Sequence, residues 1–283
     1  MRSAPVDGFQ LAYDRTGSGR AVVLLHGWPG DRADYRHVVP LLNTEADVIV
    51  PDLRGFGESD KPKKDPTTAY SAAAQARSIL ALIDELHVTD PVIAGYDIGS
   101  RVTQTIAKQA PERIRAIVIS PPVPGAGRRV LDPAAQREFW YQHFHHLDLA
   151  TELIDGNANA VRAYLKHFWS HWSGPDYKQP AADLDRLTEI YSQPGAFEAS
   201  IAWYRAGSGT VARSLSEQTP EPNERIQTET QILWPEHDLF PQAWSDRVDD
   251  FFSRARVKPL KGVGHFVPLE APQAFASAVK DAL

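Results

Sequence analysis

The sequence predicts an α/β protein, built on a mostly parallel, doubly wound sheet with helices on both faces and one helical insertion. Three observations predict this class. Short apolar runs alternate with helical patterns up to about residue 121, this rhythm stops over residues 122–225, and it returns over residues 226–283. Continuous apolar runs are typical of strands that helices cover on both faces, and their alternation with helices favours a parallel sheet.

The first part of the chain supplies most of the predicted strands. An early strand is predicted over residues 6–16. The buried strands that follow are "AVVLLHG" (21–27), "ADVIVPDLRG" (46–55), "PVIAGYD" (91–97) and "IRAIVIS" (114–120), and helices are predicted near 70–87 and 98–109. Short apolar runs bounded by glycine or proline are consistent with strands buried inside a sheet.

The middle of the chain is dominated by helical patterns and is dense in aromatic residues: Phe139, Trp140, Tyr141, Phe144, Tyr164, Phe168, Trp169, Trp172, Trp203 and Tyr204. Strand patterns resume at "TQILWPEHD" (230–238) and "ARVKPL" (255–260), and a last helix is predicted near 271–282. A sheet that resumes after a helical stretch favours one core, residues 1–121 and 226–283, carrying a helical lid, residues 122–225, over a separate helical domain.

Composition narrows the class of function. The formal charge of −6 and the pI near 5.9 argue against nucleic acid or an anionic membrane as a partner, because the general electrostatic attraction is missing. The chain has no cysteine, which excludes disulfides, thiolate catalysis and cysteine-based zinc sites. With no signal peptide pattern at the N-terminus and no apolar run of membrane-spanning length, a cytoplasmic location is expected. The sequence leaves the oligomeric state open, a homodimer included.

The stretch "PVIAGYDIGSRV" (91–102) carries the first chemical signal. Its frame is that of the strand–turn–helix elbow G-x-S-x-G, which presents a nucleophilic serine in many hydrolases, but Asp97 stands in the serine position. Serine attack on an alkyl carbon would leave an ether, which water does not readily open. Aspartate attack leaves an ester, which an activated water can hydrolyse. Asp97 therefore indicates displacement at saturated carbon; the alternative is that it only caps the helix.

Two further residues complete a candidate triad. Asp238 ends one predicted strand and His265, in "GVGHFVP", follows the last one. Sites in open α/β sheets lie at the carboxyl ends of the strands, so these side chains are expected to meet Asp97 there. His265 would be the base for the attacking water, and Asp238 would orient it. Glu236 is the alternative acid.

As a set, "HGWPG" (26–30), "DLRGFGESDKP" (52–62), the elbow, Asp238 and His265 resemble the α/β-hydrolase superfamily, and within it the branch of epoxide hydrolases and dehalogenases. The resemblance spans nearly the whole chain and implies the α/β-hydrolase fold. It also points to the backbone amides of Trp28 and Ile98 as the oxyanion hole, and to a cis peptide bond between Trp28 and Pro29. His26 is expected to brace that loop rather than to titrate in catalysis.

The residues near Asp97 separate the two activities of this branch. Haloalkane dehalogenases carry a tryptophan directly after the nucleophile, where this chain has Ile98. Fluoroacetate dehalogenases carry the pattern D-R-x-x-R at the nucleophile, and its two arginines bind the substrate carboxylate. Only the second arginine, Arg101, is present here. Both departures count against dehalogenation.

Two stretches of the insertion favour an epoxide hydrolase. "FWYQHFHHL" (139–147) and "AWYRAG" (202–207) resemble the lid segments in which tyrosines grip the epoxide oxygen, at positions that here are Tyr141 and Tyr204. A phenol suits that task because it donates a hydrogen bond at neutral pH and stays protonated. The alternative is that both tyrosines only pack against the core. Tyr96, beside Asp97, is expected to serve packing.

The expected pocket is apolar and needs neither metal nor cofactor. Its expected walls are Trp28, Phe139, Trp140, Trp172, Trp203 and Phe266. Such walls imply an apolar or aromatic small-molecule substrate. His143, His145 and His146 suggest a metal site, but their spacing on a helix does not put all three on one face.

Taken together, these features imply hydrolysis of an epoxide to a vicinal diol through an ester at Asp97. A haloalkane or haloacid dehalogenase with the same three residues is the alternative. A relative that binds ligand without turnover is a third interpretation, against which the intact set of Asp97, Asp238 and His265 argues.

Overall fold

The computed structural model describes all residues 1–283 and contains one seven-stranded sheet. Its strands are β1 Tyr13–Gly17, β2 Arg20–Leu25, β3 Ala46–Pro51, β4 Val92–Gly95, β5 Ala116–Ile119, β6 Glu229–His237 and β7 Ala255–Gly264. The strand order is β1-β3-β2-β4-β5-β6-β7, and every neighbouring pair is parallel except β1 with β3. The predicted α/β class with a mostly parallel sheet is confirmed.

Thirteen α-helices accompany the sheet. They are α1 Val39–Leu42, α2 Pro66–Ala69, α3 Ala72–Glu85, α4 Ile98–Gln109, α5 Pro133–His146, α6 Asp148–Ile154, α7 Ala158–Trp172, α8 Ala181–Tyr191, α9 Ala196–Arg205, α10 Thr210–Ser216, α11 Val248–Phe251, α12 Val267–Glu270 and α13 Pro272–Lys280. Local sequence explains several of their starts. The Ser71 side chain caps α3 and the Asn157 side chain caps α7, while Pro133 occupies the first turn of α5.

The register of the central strands places their carboxyl ends side by side. Leu25 at the end of β2 pairs with Gly95 at the end of β4, and Gly95 pairs with Ile119 at the end of β5. All residues of β3, β4 and β5 are buried, as expected for strands covered on both faces. Loops that leave these ends therefore start from neighbouring points along one edge of the sheet.

Between β5 and β6 the chain forms six α-helices and no named strand, and we refer to α5–α10 as the inserted helices. One buried apolar cluster includes strand residues such as Val23 together with Phe168 and Tyr204 of the inserted helices. The inserted helices therefore share their hydrophobic core with the sheet. None of the helices combines the length and apolar character that crossing a bilayer requires.

The early strand over residues 6–16 is the least accurate of the predicted elements. The strand there begins only at Tyr13, and the segment before it makes isolated bridges, Arg2 with Ala12 and Val6 with Phe9. Asp7 and Gly8 both have positive φ and form a tight turn, which interrupts the extended backbone. The helix predicted near 98–109, by contrast, has the bounds of α4.

Candidate active site

Asp97 lies in a sharp turn between β4 and α4. Its backbone has φ +50° and ψ −119°, a conformation that is strained for a residue with a Cβ atom. The turn also needs Gly99, because a Cβ atom there would collide with the Leu25 carbonyl oxygen of the neighbouring strand. The sequence thus accepts local strain to present a carboxylate at the edge of the sheet.

The two carboxylate oxygens of Asp97 face different partners. Oδ1 accepts a hydrogen bond from the backbone N–H of Trp28 at 2.8 Å. Oδ2 lies 3.4 Å from Nε2 of His265. Asp97 is only 8% exposed, so both interactions operate with little solvent around them. One oxygen is held by a backbone donor while the other is directed towards the imidazole.

His265 bridges Asp97 and a second carboxylate. It follows β7, and its Nδ1 lies 2.9 Å from Oδ2 of Asp238, which follows β6. The other oxygen of Asp238 accepts a hydrogen bond from Phe240 N–H at 2.8 Å, which fixes the carboxylate. The three side chains that the sequence predicts as a triad therefore meet in space. Glu236, the alternative acid, is exposed and instead accepts a hydrogen bond from Gly262 N–H.

The charge state of His265 follows from its two neighbours. Burial by itself lowers the pKa of the imidazole, but the Asp238 carboxylate, by charge and hydrogen bond, and the Asp97 carboxylate outweigh it and raise the pKa to about 10. At neutral pH the resting site therefore holds an imidazolium between two carboxylates.

The loop that carries Trp28 has the cis peptide bond that the resemblance implies. The Trp28–Pro29 peptide bond is cis, and the Trp28 N–H points at Asp97, whose turn is followed by Ile98 as the first residue of α4. His26 is fully buried: its Nδ1 lies 2.9 Å from the Gly27 carbonyl oxygen, and its Nε2 accepts from Leu53 N–H at 3.0 Å. Burial lowers the pKa of His26, so the ring is neutral and braces the loop.

Inserted helices contact these same loops. The Tyr191 hydroxyl, at the end of α8, donates to the Gly30 carbonyl at 2.8 Å and accepts from Gly30 N–H at 3.0 Å. The backbone N–H of His265 donates to the Trp172 carbonyl at the end of α7 at 2.8 Å. The ends of two inserted helices are therefore tied to the segments that carry the Trp28 N–H and the His265 imidazole.

Tyr141 on α5 and Tyr204 on α9 line one small cavity with Asp97. Both tyrosines are 3% exposed, and their rings meet edge to face with centroids 5.5 Å apart. Burial raises the pKa of both phenols, so they are protonated at neutral pH. The cavity measures about 10 Å³, and its other walls are Ile98, Arg101, Pro122, Gln142, Trp203, Ser208 and Thr210. Two phenols thus line the same space as the carboxylate.

An aromatic cluster surrounds Trp28. Its indole stacks on the Tyr141 ring at 5.8 Å and meets the edges of Phe168 at 4.9 Å and Trp172 at 5.9 Å. Trp172 also packs against His265, with centroids 5.1 Å apart. The surroundings of the three polar side chains are therefore strongly apolar.

The residues predicted as pocket walls lie in different places. Of the six, only Trp203 lines the cavity. Trp28 and Trp172 belong instead to the aromatic cluster beside it. Phe266 stacks on Trp169 at 3.7 Å, and Phe139 packs against Phe240. The prediction for Trp140 needs correction: it is 41% exposed on the outside of α5 and is not among the residues that line the cavity. Its backbone position on the outer face of the helix, opposite the buried side, explains the difference.

The three histidines of α5 do not converge. His145 is buried, with Nε2 3.0 Å from the Tyr164 hydroxyl, and burial lowers its pKa well below the usual value. His143 and His146 are exposed. No group of three or more His, Cys, Asp or Glu side chains in the structure is arranged to hold a metal ion.

Several contacts near the site were not anticipated. Tyr96 donates a hydrogen bond of 2.6 Å to the buried carboxylate of Asp34, so it does more than pack. Glu270 accepts hydrogen bonds from Gly264 N–H and Phe266 N–H, the amides on either side of His265. Gln142 hydrogen-bonds to the Tyr141 hydroxyl. These contacts join segments that are distant in sequence or involve side chains of ordinary type, and no short sequence motif predicts them.

The fold and the arrangement of Asp97, Asp238 and His265 define the class of protein. The sequence model of the α/β hydrolase fold family matches residues 20–272, and the chain belongs to that family. Within it, the chain is 29% identical over 279 residues to the soluble epoxide hydrolase of Corynebacterium sp. (strain C12), covering 95% of this chain and 92% of that protein.

Two further similarities bear on the branch of the family. The structure of epoxide hydrolase CorEH superposes with a TM-score of 0.83 and 25% identity, over 99% of this chain and 97% of that one. The fluoroacetate dehalogenase of Burkholderia sp. is 29% identical over 199 residues, which is 69% of this chain and 64% of that protein. The resemblance to epoxide hydrolases and dehalogenases that the motifs indicate is confirmed.

Proposed function

We propose that this protein hydrolyses an epoxide to a vicinal diol through an ester at Asp97. One observation carries the proposal. A carboxylate, rather than a hydroxyl, occupies the elbow, with one oxygen on a backbone donor, the other towards His265, and two phenols lining the same cavity. The similarity over nearly full length to a soluble epoxide hydrolase supports it.

The first step forms the ester. Oδ2 of Asp97 attacks one epoxide carbon, the C–O bond of the ring breaks, and a tyrosine gives its proton to the departing alkoxide. Oδ1 then becomes the ester carbonyl and stays on the Trp28 N–H. The step consumes the charge of Asp97 and leaves a phenolate.

Loss of the Asp97 charge changes His265. The imidazolium keeps its high pKa partly because Asp97 is ionised, so esterification lowers that pKa. Its proton can then return the phenolate to the phenol, which leaves a neutral imidazole held by Asp238. The base needed for the second step is generated by the first.

The second step releases the diol. His265 takes a proton from water, whose oxygen attacks Cγ of Asp97, and the negative charge on Oδ1 is stabilised by the amides of Trp28 and Ile98. Collapse breaks the bond between Cγ and the ester oxygen, and the imidazolium protonates the alkoxide that leaves. The Asp97 carboxyl proton passes to His265, which restores the resting ion pairs.

Isotope labelling under single turnover tests the proposal. An aryl epoxide is chosen as the probe because the aromatic cluster around Trp28 favours an apolar substrate. In heavy-oxygen water the label is expected first in the Asp97 carboxylate, because the diol receives the oxygen that Asp97 already carried. Label found only in the diol would exclude the ester.

A dehalogenase is the second candidate, and one observation favours it. Arg101 lines the cavity and is 9% exposed, and its Nε has no hydrogen-bond partner, so an acidic substrate could supply one. Against it, Ile98 offers no side-chain donor to a halide. Halide release from a haloalkanoic acid with no turnover of epoxides would establish this candidate. Equal affinity for epoxides and haloalkanoic acids, with turnover of neither, would favour a non-catalytic relative.

A further inference from the structure

Gln142, the neighbour of Tyr141 on α5, has both ends of its amide engaged. It is 4% exposed; Oε1 accepts a hydrogen bond from Val211 N–H at 3.0 Å, and Nε2 donates to the Tyr141 hydroxyl at 3.1 Å. A backbone N–H only donates, so the carbonyl end of the amide must face Val211. The NH₂ end therefore has to face Tyr141.

This orientation decides where the Tyr141 proton points. The NH₂ group has no lone pair to offer, so Tyr141 can only accept from Gln142. Its own proton is then free for another acceptor, and Tyr141 lines the cavity that it shares with Asp97. Gln142 thus keeps the Tyr141 hydroxyl in the donating state that ring opening requires.

The same hydrogen bond favours Tyr141 over Tyr204 as the acid. A donor on a phenol oxygen stabilises the phenolate that remains after the proton has left. Gln142 opposes the rise in the pKa of Tyr141 that burial causes. Tyr204 accepts no such amide donor, and burial raises its pKa well above the usual value. The two phenols in the cavity are therefore not equivalent.

The packing around Gln142 leaves little freedom for another arrangement. A Cβ atom at Gly209 would lie 2.8 Å from Oε1 of Gln142 and 2.9 Å from the Tyr204 ring. The residue between α9 and α10 is thus small where the amide, the second phenol and the backbone come together. The start of α10 in turn offers Val211 N–H as the fixed donor.

We propose that Gln142 is a positioning residue that makes Tyr141 the proton donor to the epoxide oxygen and leaves Tyr204 as a hydrogen-bonding clamp. This inference rests on the proposed function. It assigns the acid, which the sequence leaves open between two tyrosines, from the direction of one hydrogen bond.

Gln142→Glu tests the direction of that bond. A carboxylate still accepts from Val211 N–H, but it offers Tyr141 no donor and instead accepts a hydrogen bond from the Tyr141 hydroxyl. The rate of Asp97 ester formation, measured by rapid quench and mass spectrometry, is expected to fall roughly 10- to 100-fold at neutral pH, as for loss of a hydrogen bond to a charged group. It should recover as the pH falls, because the introduced carboxyl group donates a hydrogen bond again once it is protonated.

Matched variants separate positioning from other effects. Gln136→Glu adds the same charge to α5, where Gln136 contacts the Val130 carbonyl and not a tyrosine, so its rate should equal that of the wild type at each pH. The other titratable or charged groups that line the cavity are Asp97, Arg101, Tyr141 and Tyr204, and both variants retain them. Gln142→Leu should slow ester formation when added to Tyr204→Phe, and should add little to Tyr141→Phe.

Three outcomes would overturn the inference. A wild-type rate in Gln142→Glu would mean that the residue only anchors α10. An equal effect of Gln142→Leu in both tyrosine backgrounds would mean that it does not act through Tyr141. If the wild-type protein forms no ester with epoxides, the proposed function fails and this inference fails with it; the first two outcomes leave the proposed function standing.

Discussion

The loops at the edge of the sheet and the inserted helices both bring side chains to the cavity above Asp97, but they hold them differently. Asp97, Asp238 and His265 lie within two residues of a strand end, where the hydrogen bonds of the sheet fix the backbone from which each side chain extends. Tyr141 and Tyr204 extend from two helices and are held by aromatic packing and the Gln142 amide. The sheet edge is suited to covalent chemistry, which tolerates little displacement, and the helices to adjustable hydrogen bonds.

Removing the nucleophile should give the largest effect and tests the role of the sheet edge most directly. Asp97→Ala is expected to abolish turnover, a loss of at least about 10⁴-fold, because no other carboxylate lines the cavity with the two phenols. The fold should persist, because alanine keeps the Cβ atom and so leaves the backbone strain of the turn unchanged, while the surrounding hydrophobic core stays intact. Steady-state kinetics and thermal unfolding measure both. Residual turnover near the wild-type rate would mean that the chemistry does not depend on the sheet-edge carboxylate.

Removing the base should separate the two steps. In His265→Gln the ester is expected to form and persist, because attack by Oδ2 needs no base while hydrolysis does. Intact-protein mass spectrometry after quenching should find a protein heavier by one epoxide, and peptide mapping should place it on Asp97. An unmodified protein under these conditions would contradict the ester route.

The phenols should give graded losses. Tyr141→Phe is expected to slow epoxide opening by about 10²–10⁴-fold, the range of general-acid assistance, and Tyr204→Phe by less. The rate of Asp97 ester formation measures both. Equal losses would indicate that the two helices contribute interchangeable donors, and no loss in either variant would indicate that water protonates the alkoxide.

A smaller effect concerns stability and belongs to the sheet edge alone. The pKa of His265 is about 10 in the folded protein and 6.5 as the ordinary value, so its ion pairs stabilise the fold fully below pH 6.5 and progressively less as the pH rises through 10. The free energy of unfolding should fall over this interval by up to about 1.4 kcal/mol per pH unit. Denaturant unfolding of the wild type minus that of His265→Gln isolates this slope, which should vanish if the imidazole is neutral in the fold.

The sequence predicts these two regions unequally. The elbow, the HGWPG loop and His265 belong to local patterns whose glycines and strand ends determine the backbone, so their geometry follows from the neighbouring residues. The positions of Tyr141 and Tyr204 depend on how α5 and α9 pack against Trp28, which residue spacing does not encode. Trp140 illustrates the limit: beside Tyr141 in sequence, it faces outwards. Gln142 and Glu270 act through hydrogen bonds whose partners the sequence does not identify.

The cavity shared by Asp97, Tyr141 and Tyr204 has about the volume that one water molecule needs. The proposed epoxide substrate is several times larger, so we expect side chains or helices to shift when it binds, and capture then includes a first-order rearrangement of the protein. The observed rate of capture should therefore level off at high substrate concentration instead of rising in proportion to it. The limiting rate at high substrate concentration would equal the rate at which the protein opens, and it would not depend on the reactivity of the epoxide ring.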